Sequence, residues 1–228
     1  MSKNIINIGL PSKGRLKHDT INIFKKNKLN LFSERGERDL FGYIKKLANV
    51  KIIYLHAREC IEQLSLGNID IGFSGYDLLK ESEINIQNKI FINKKYNFGN
   101  ANLVLAIPDL WIDVQTLLDL DEVADEFKKK KKRLLRVATK YPNLTRQFLY
   151  SKGVNQFQLV KSLGSTEVAP FTGTAEIISD ITSTGATLKA NNLRILKDGE
   201  ILKSQACLMR SKLSTKKLGI KKIIKILS

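Results

Sequence analysis

Short apolar segments rich in Ile, Leu and Val alternate with longer amphipathic segments along most of the chain. Before Asn100, three strand-like segments are each followed by a helix-like one. The strand-like segments are NIINIGLP from Asn4, VKIIYLHA from Val50 and NIDIGFSG from Asn68. A strand followed by a helix, repeated in this way, is typical of a mainly parallel sheet covered by helices. The pattern therefore predicts an α/β lobe.

A second series of strand-like and helix-like segments follows. Its strands are ANLVLAIP from Ala101, LLRVATKY from Leu134, QFQLVKSL from Gln156, EIISDIT from Glu176 and EILKSQACLMRS from Glu200. Apolar residues near every third or fourth position predict an amphipathic helix at the end of the chain. We predict two α/β lobes, the first formed by residues 1–98 and 212–228 and the second by residues 99–211. Ligands of open α/β sheets bind outside the carboxyl ends of the strands, so we expect the site in a cleft between the lobes.

The composition is that of a folded protein and disfavours a His/Cys zinc site. With 228 residues, 43% of them hydrophobic, the chain can form a full core. No apolar run approaches the roughly 20 residues that cross a bilayer, and the first residues lack the apolar core of a secretory signal. We therefore expect a cytoplasmic protein without a membrane segment. Two histidines, His18 and His56, and two cysteines, Cys60 and Cys207, favour reduced, packed thiols over a disulfide framework or a His/Cys metal site.

The chain carries a large excess of positive charge. It has 39 Lys and Arg residues against 22 Asp and Glu residues, a formal net charge of +17. Such an excess attracts polyanions. Most of it is scattered lysine, however, and the run KKKKKR, residues 128–133, follows an acidic segment as the solvated end of a helix would. No aromatic residues interleave these lysines as a nucleic-acid stacking platform requires, so we expect no nucleic-acid partner.

The stretch TSTGAT, residues 182–187, lies between an apolar strand and a helix pattern. A phosphate bound there would receive hydrogen bonds from backbone N–H groups at a helix start and from the hydroxyl side chains. Gly185 would allow the backbone to approach the ligand closely. Asp180, at the predicted strand end, suits a ribose diol because a carboxylate can accept two hydrogen bonds. The alternative is an ordinary capped turn, since Ser and Thr favour helix starts in any case.

A second candidate is LPSKGRL, residues 10–16, which also joins a strand to a helix. Lys13 and Arg15 flank Gly14 there, and two cations at a helix start are unfavourable unless an anion is bound. The alternative is a pair of solvated side chains on a turn. Arg58, after the second strand, and Arg38, in the polar segment ERGERD, are further cations that either enter the cleft or face water.

Taken together, these stretches resemble the catalytic subunit of the ATP phosphoribosyltransferase family in its short form, the first enzyme of histidine biosynthesis. The matching motifs are LPSKGRL, IDIGFSGYDLL, ANLVLAIP, RVATKYPNLTRQF, GSTEVAP, GTAEIISDITSTGATL and ILKSQACLMRS. They extend over nearly the whole chain. The segment GTAEIISDITSTGATL is the most specific, because it resembles the family's phosphoribosyl-diphosphate loop in sequence and in position.

The resemblance implies two lobes like those of type II periplasmic binding proteins, with the active site in the inter-lobe cleft. It implies a Mg2+-dependent glycosyltransferase that joins N1 of ATP to C1 of phosphoribosyl diphosphate and releases diphosphate. Mg2+ would be carried by the diphosphate, so no dedicated protein cage is expected. The resemblance also implies a regulatory partner similar to histidyl-tRNA synthetase, with a hetero-octamer as the usual assembly.

The resemblance also assigns residues to the two substrates. The residues implied to hold the 5′-phosphate are Thr182, Ser183, Thr184, Gly185, Ala186 and Thr187. Glu167 and Asp180 are implied to face the ribose or its metal ion, with Glu176 also at the substrate. At Glu176 the chain departs from the family, which usually has Asp there.

The cations belong to the other part of the implied site. Lys13, Gly14 and Arg15 are implied to reach the nucleotide or the diphosphate, and Arg38 and Arg58 to bridge both substrates. The segment YLHAREC around Arg58 keeps only part of the family pattern.

Two alternative functions stay open at this point. A two-lobed protein could bind an amino acid or an inorganic anion without turnover, since solute receptors share the fold. The net charge of +17 could instead serve nucleic-acid binding, which would depend steeply on salt.

Overall fold

The structure is a computed structural model that describes residues 5–33, 39–214 and 219–228. The chain divides into two compact units, one of Met1–Asn100 with Gln205–Ser228 and one of Ala101–Ser204. The strands are β1 (Ile6–Pro11), β2 (Leu31–Phe32), β3 (Phe41–Ile44), β4 (Val50–Leu55), β5 (Ile71–Gly75), β6 (Ile90–Lys95), β7 (Ala101–Pro108), β8 (Leu135–Thr139), β9 (Phe157–Lys161), β10 (Ile177–Thr182), β11 (Leu193–Ser204) and β12 (Ala206–Ser211). The helices are α1 (Gly14–Lys26), α2 (Ala57–Leu66), α3 (Tyr76–Glu81), α4 (Ile84–Gln87), α5 (Leu117–Lys131), α6 (Pro142–Ser151), α7 (Ala186–Ala190) and α8 (Ile220–Leu227), with 3₁₀ turns at Thr166–Val168 and Lys212–Ser214.

The first unit is built on a mixed sheet. Over the described residues its strand order is β2-β3-β4-β1-β5-β12-β6. Strands β4, β1 and β5 are parallel, so the segments that follow β1 and β4 leave the same edge of the sheet. Helices α1 and α2 begin there, which is the predicted strand-helix repeat. Phe24 of α1 and Ile61 of α2 are almost fully buried in the cores of this unit.

The second unit has its own sheet, with the order β11-β7-β10-β8-β9 over the described residues. Strands β10, β8 and β9 are parallel, whereas β7 is antiparallel to both β10 and β11. The carboxyl ends of β10, β8 and β9 therefore lie at one edge. Ser179 of β10 is level with Thr139 of β8, and this register places Asp180 next to Lys140 at that edge.

The structure corrects the predicted lobe boundary at residue 211. The segment EILKSQACLMRS was expected to lie entirely in residues 99–211, but it contains a break at Gln205. Before the break β11 pairs with β7 in the second sheet, and after it β12 runs between β5 and β6 in the first. The buried run Ala206–Met209 gives β12 the apolar character of a central strand. The second unit therefore ends at Ser204.

Helix α5 begins at Leu117 because Thr116 and Asp119 cap its first turn. Asp119 Oδ2 accepts the Thr116 amide hydrogen at 2.8 Å, and the Thr116 hydroxyl in turn caps the Asp119 amide. This reciprocal capping box sets the first helical residue at Leu117. The preceding loop is also held from outside the helix, because Arg194 donates to the Trp111 carbonyl at 2.6 Å.

Two sequence expectations concern the cysteines and the membrane. Cys60 and Cys207 are both free and buried, and burial raises the pKa of Cys60 to about 12 and that of Cys207 to about 11. Both groups are therefore protonated, unreactive thiols at neutral pH. None of the helices in the described ranges is long and apolar enough to span a bilayer.

Candidate active site

A pocket of about 370 Å³ opens at the carboxyl end of β10. Its lining consists of two carboxylates, a hydroxyl-rich loop and two apolar residues: Glu167, Asp180, Ile181, Thr182, Ser183, Thr184, Thr187 and Leu188. The structure thus brings together six of the residues expected at the substrate, Glu167, Asp180, Thr182, Ser183, Thr184 and Thr187. Gly185 lies within the same loop, and Ala186 is the first residue of α7, which follows it.

The loop is held in shape by its own hydroxyl groups. Thr182 Oγ1 accepts the Gly185 amide hydrogen at 2.9 Å, and Thr184 Oγ1 accepts that of Ala186 at 3.3 Å. Gly185 has φ +75°, a left-handed conformation that strains any residue with a Cβ. Because each hydroxyl oxygen acts as an acceptor here, its own O–H can still donate to a ligand oxygen.

The helix that follows the loop is shorter than the sequence pattern suggests. Helix α7 has only five residues, and a helix of little more than one turn has a small dipole. The expected contribution of a helix N-terminus to phosphate binding is therefore weak. The donors at this pocket are therefore the loop hydroxyls and the backbone N–H groups other than those of Gly185 and Ala186, which donate to Thr182 and Thr184 within the loop.

The two carboxylates of the pocket have different surroundings. Asp180 is partly buried at the end of β10, and Glu167 lies in the 3₁₀ turn Thr166–Val168. Burial raises the pKa of Asp180, and the nearby charge of Glu167 raises it further. The backbone N–H of Ile181 and the charge of Lys140 oppose that shift without cancelling it. A partner that donates hydrogen bonds to Asp180, such as a ribose diol, would stabilise its charged form.

A network of buried hydroxyl groups connects α6 to β10 and β8 close to the pocket. Thr145 of α6 donates to Ser179 Oγ at 2.8 Å, and its oxygen lies 3.4 Å from Thr139 Oγ1. All three side chains are at most 1% exposed. Ser179 directly precedes Asp180 and Thr139 directly precedes Lys140, so this network fixes the ends of β10 and β8 relative to each other.

Glu176 does not belong to the pocket. It precedes the first residue of β10, whereas the pocket is at the other end of the strand. Its carboxylate, 11% exposed, accepts hydrogen bonds from Arg136 at 2.6 Å and from Arg133 at 2.9 Å. Burial alone would raise the pKa of Glu176, but these hydrogen bonds outweigh it and lower the pKa to about 2. The structure thus pairs Glu176 with two arginines at the end of β10 away from the pocket.

The expected cations of the first unit lie where β1 and β4 end. Lys13 is the extended residue before α1, and Gly14 has φ +78°. Arg15 is 73% exposed, with its Nε 3.9 Å from Asp19. Arg58 is exposed in the first turn of α2. Pro11 pairs with Leu55 in the parallel ladder, so these two loops are neighbours at one sheet edge.

Arg38 lies outside the described residues. Over the ranges that are described, no three His, Cys, Asp or Glu side chains are grouped closely enough to hold a metal ion. The pocket provides two carboxylates, Glu167 and Asp180, and this set fits a Mg2+ ion that arrives on a diphosphate better than a protein cage.

Sequence reasoning missed three residues near this site. Ile181 and Leu188 line the pocket, and Lys140 lies beside Asp180 at the end of the neighbouring strand. The available signal for Lys140 is its place directly after an apolar strand, where open α/β sheets bind their ligands.

The lysine run has local partners in the structure. Lys129 lies 3.8 Å from Asp125 and Lys130 lies 2.9 Å from Glu126. The Lys131 ammonium lies 4.1 Å from the centre of the Phe127 ring. These contacts are those of a solvated helix end.

The protein-family model for ATP phosphoribosyltransferase (HisG) matches residues 56–228. An ATP phosphoribosyltransferase of Nitrobacter winogradskyi is 49% identical over 205 residues, 90% of this chain and 63% of that protein. One from Mesorhizobium japonicum is 43% identical over 209 residues, 91% of this chain and 90% of that protein. The chain therefore spans less than two thirds of the first relative and most of the second.

Solved structures agree with the fold. The ATP phosphoribosyl transferase (HisG:HisZ) complex from Thermotoga maritima contains a chain that is 26% identical, with a TM-score of 0.73 over 98% of this chain and 96% of that one. The substrate-binding protein of an amino-acid ABC transporter is 13% identical, with a TM-score of 0.55 over 98% and 89%. The second likeness concerns the fold alone and confirms the expected resemblance of this fold to that of two-lobed binding proteins. Given the family match and these identities, this chain belongs to the ATP phosphoribosyltransferase family.

Proposed function

We propose that this chain is the catalytic subunit that joins N1 of ATP to C1 of phosphoribosyl diphosphate and releases diphosphate. The observation that carries the proposal is the β10 pocket, which Asp180 and Glu167 line together with four hydroxyl side chains. Donors for a phosphate and acceptors for a sugar diol occur there side by side. This is the arrangement that a phosphorylated pentose requires.

The reaction needs positioning more than a protein nucleophile. The N1–C1 bond forms as the C1–O bond breaks, and the electron pair of the broken bond leaves with the diphosphate. Asp180 and Glu167 would hold the ribose, and the loop from Thr182 to Thr187 would hold its 5′-phosphate. Fixing C1 in this way would orient it for attack by the adenine ring. Two buried thiols with raised pKa values are compatible with this scheme, because it requires no sulfur nucleophile.

Cations and Mg2+ would handle the leaving group. We place Lys13, Arg15 and Arg58 at the nucleotide and the diphosphate, as the family resemblance implies, and Arg38 with them. Mg2+ would enter on the diphosphate and neutralise part of its charge. Asp180 and Glu167 are the pocket carboxylates that could contact this ion.

A regulatory partner is part of the proposal. The similar structure from Thermotoga maritima is a HisG:HisZ complex, and we infer that this chain likewise associates with a histidyl-tRNA-synthetase-like subunit in a hetero-octamer. Size-exclusion chromatography with light scattering on the two purified subunits, alone and mixed, would test the assembly.

The experiment that tests the activity is a direct assay of turnover. Purified chain, ATP, phosphoribosyl diphosphate, Mg2+ and pyrophosphatase are mixed, with and without the partner subunit, and near-ultraviolet absorbance is followed. A rise that requires both substrates is expected in at least one mixture. Folded protein that gives no rise in either, but binds an amino acid saturably, would favour a non-catalytic binding protein.

A further inference from the structure

Lys140 lies between two groups of the pocket. Ser179 of β10 pairs with Thr139 of β8, so the following residues, Asp180 and Lys140, are neighbours at the sheet edge. On the other side, the Thr139 carbonyl accepts the backbone N–H of Ser162 at 3.0 Å. Lys140 is therefore flanked by the end of β10 and by the segment that leaves β9.

The segment that leaves β9 carries the second carboxylate. The Ser162 and Thr166 hydroxyl oxygens lie 3.0 Å apart, and Glu167 follows Thr166. Electrostatics agree with this placement. Burial raises the pKa of Asp180, and the charge of Lys140 is close enough to offset part of that rise. Lys140 itself is exposed at this edge of the sheet.

The hydroxyl loop and Lys140 lie on opposite sides of Asp180. Helix α7, which the loop enters, packs against β10 and β11. In the sheet order β11-β7-β10-β8-β9, that direction is away from β8. A ligand held at Asp180 would therefore have the loop at one end and Lys140 at the other.

The pocket lining alone does not provide a cation for a charged ligand. The eight residues that line it include two carboxylates and neither Lys nor Arg. A pentose with a 5′-phosphate and a 1-diphosphate has its charged groups at opposite ends of the sugar. The loop hydroxyls can bind the 5′-phosphate. The 1-diphosphate carries more negative charge, however, and would lie near the carboxylates of Asp180 and Glu167.

We propose that Lys140 binds the diphosphate arm of the pentose substrate while the hydroxyl loop holds the 5′-phosphate. The assignment rests on the function proposed above and adds a substrate-contacting residue to it. It gives the two ends of one substrate separate sites on the same unit of the chain.

The test compares Lys140→Met with Lys140→Arg. Met preserves most of the apolar stem without the charge, and Arg restores a cation. Lys152→Met, an exposed lysine at the end of α6 whose ammonium lies 5.8 Å from the centre of the Phe148 ring, is the matched control. Thermal melting of each variant establishes that it is folded. Binding of phosphoribosyl diphosphate, inorganic diphosphate and ribose 5-phosphate is then measured by calorimetry with Mg2+ present, on the chain with its partner.

We expect Lys140→Met to weaken binding of phosphoribosyl diphosphate and inorganic diphosphate by about tenfold or more, the usual scale of a lost charged hydrogen bond. Ribose 5-phosphate should bind as it does to the wild type, and Lys140→Arg should recover part of the loss. Unchanged diphosphate binding in Lys140→Met, or equal weakening of ribose 5-phosphate, would overturn the assignment. If the wild type itself binds no phosphoribosyl diphosphate, the function proposed above fails first, so the two failures are distinguishable.

Discussion

The hydroxyl oxygen of Thr182 accepts the backbone N–H of Gly185 at 2.9 Å, and this one contact closes the pocket loop over itself. Gly185 itself has φ +75°, in the left-handed region. An added Cβ at Gly185 would meet no atom within 4 Å. The demand for glycine is therefore conformational and not a matter of space.

Gly185→Asp and Gly185→Asn separate charge from conformation. Asn tolerates the left-handed conformation better than most residues and has nearly the shape of Asp. We expect Gly185→Asn to retain measurable turnover and Gly185→Asp to lose about 100-fold or more in kcat/KM for phosphoribosyl diphosphate, because its carboxylate would face a phosphate. Steady-state kinetics check this. Equal activity in the two variants would remove the loop from the phosphate site.

Asp180→Asn should weaken substrate binding and stabilise the fold. The folded-state pKa of Asp180 lies above its ordinary value, chiefly through burial, so ionisation of this group at neutral pH opposes folding. The variant should melt at a higher temperature than the wild type at pH 7. The difference in melting temperature between the variant and the wild type should appear as pH rises through about 3.9, the ordinary pKa of Asp. It should reach its full size above the raised pKa of Asp180.

Melting curves at several pH values, with KM for phosphoribosyl diphosphate, check this prediction. A variant that is less stable at neutral pH but binds substrate normally would show that Asp180 is a structural residue.

Glu176→Gln should destabilise the protein and leave the site intact. The pKa of Glu176 is lowered to about 2, so its stabilising effect is complete above the ordinary Glu pKa and is lost as pH falls towards 2. We expect a loss on the order of 2 kcal/mol in the free energy of unfolding at pH 7, shrinking as pH falls below about 5.

Glu126→Gln is the matched control for that change. Glu126 is 61% exposed and pairs only with Lys130, four residues along the same helix face, among the ion pairs of the described residues. Loss of the Glu126–Lys130 ion pair should lower the free energy of unfolding by about 0.5 kcal/mol or less. Denaturant unfolding of both variants gives the comparison, and a large rise in KM for phosphoribosyl diphosphate in Glu176→Gln would return Glu176 to the substrate.

Thr145→Val tests whether the buried hydroxyl network positions the strand ends. Val keeps the shape of Thr but removes the donor to Ser179, which should cost about 1–2 kcal/mol of stability. Because Ser179 precedes Asp180, we also expect a higher KM for phosphoribosyl diphosphate. Thr145→Ser keeps the hydroxyl and should restore the KM even if it does not restore the stability. Loss of stability in both variants with an unchanged KM would make the network purely structural.

The proximity of the pocket-loop residues could be predicted from the sequence because the signals are local. An apolar strand, a strand-end Asp180, clustered hydroxyls and Gly185 all occur within one short segment, and the structure places most of them in one pocket. Glu176 is in the same segment and was expected in the site. It lies at the amino end of β10, however, whereas the pocket lies at the carboxyl end. Its partner Arg136 lies forty residues away in the chain, at a distance that no local pattern reveals.

Longer-range features were harder to predict for the same reason. The segment around Gln205 has a continuous strand-like pattern, yet β11 and β12 belong to different sheets. Strand β6 has exposed side chains over most of its length, so it lacks the apolar alternation that indicates a strand. Lys140 becomes a candidate only when the register of β8 against β10 is known.

The most direct measurement follows isotope-labelled pentose into product. Phosphoribosyl diphosphate with a ¹³C-labelled ribose is incubated with ATP, Mg2+ and the chain with its partner subunit, and the products are analysed by mass spectrometry. We predict one labelled phosphoribosyl group on each ATP consumed and one diphosphate released for each product, with product from Gly185→Asp forming about 100-fold more slowly or slower still. Folded wild-type protein that binds the labelled substrate but forms no product, or Gly185→Asp that forms it at the wild-type rate, would contradict the account.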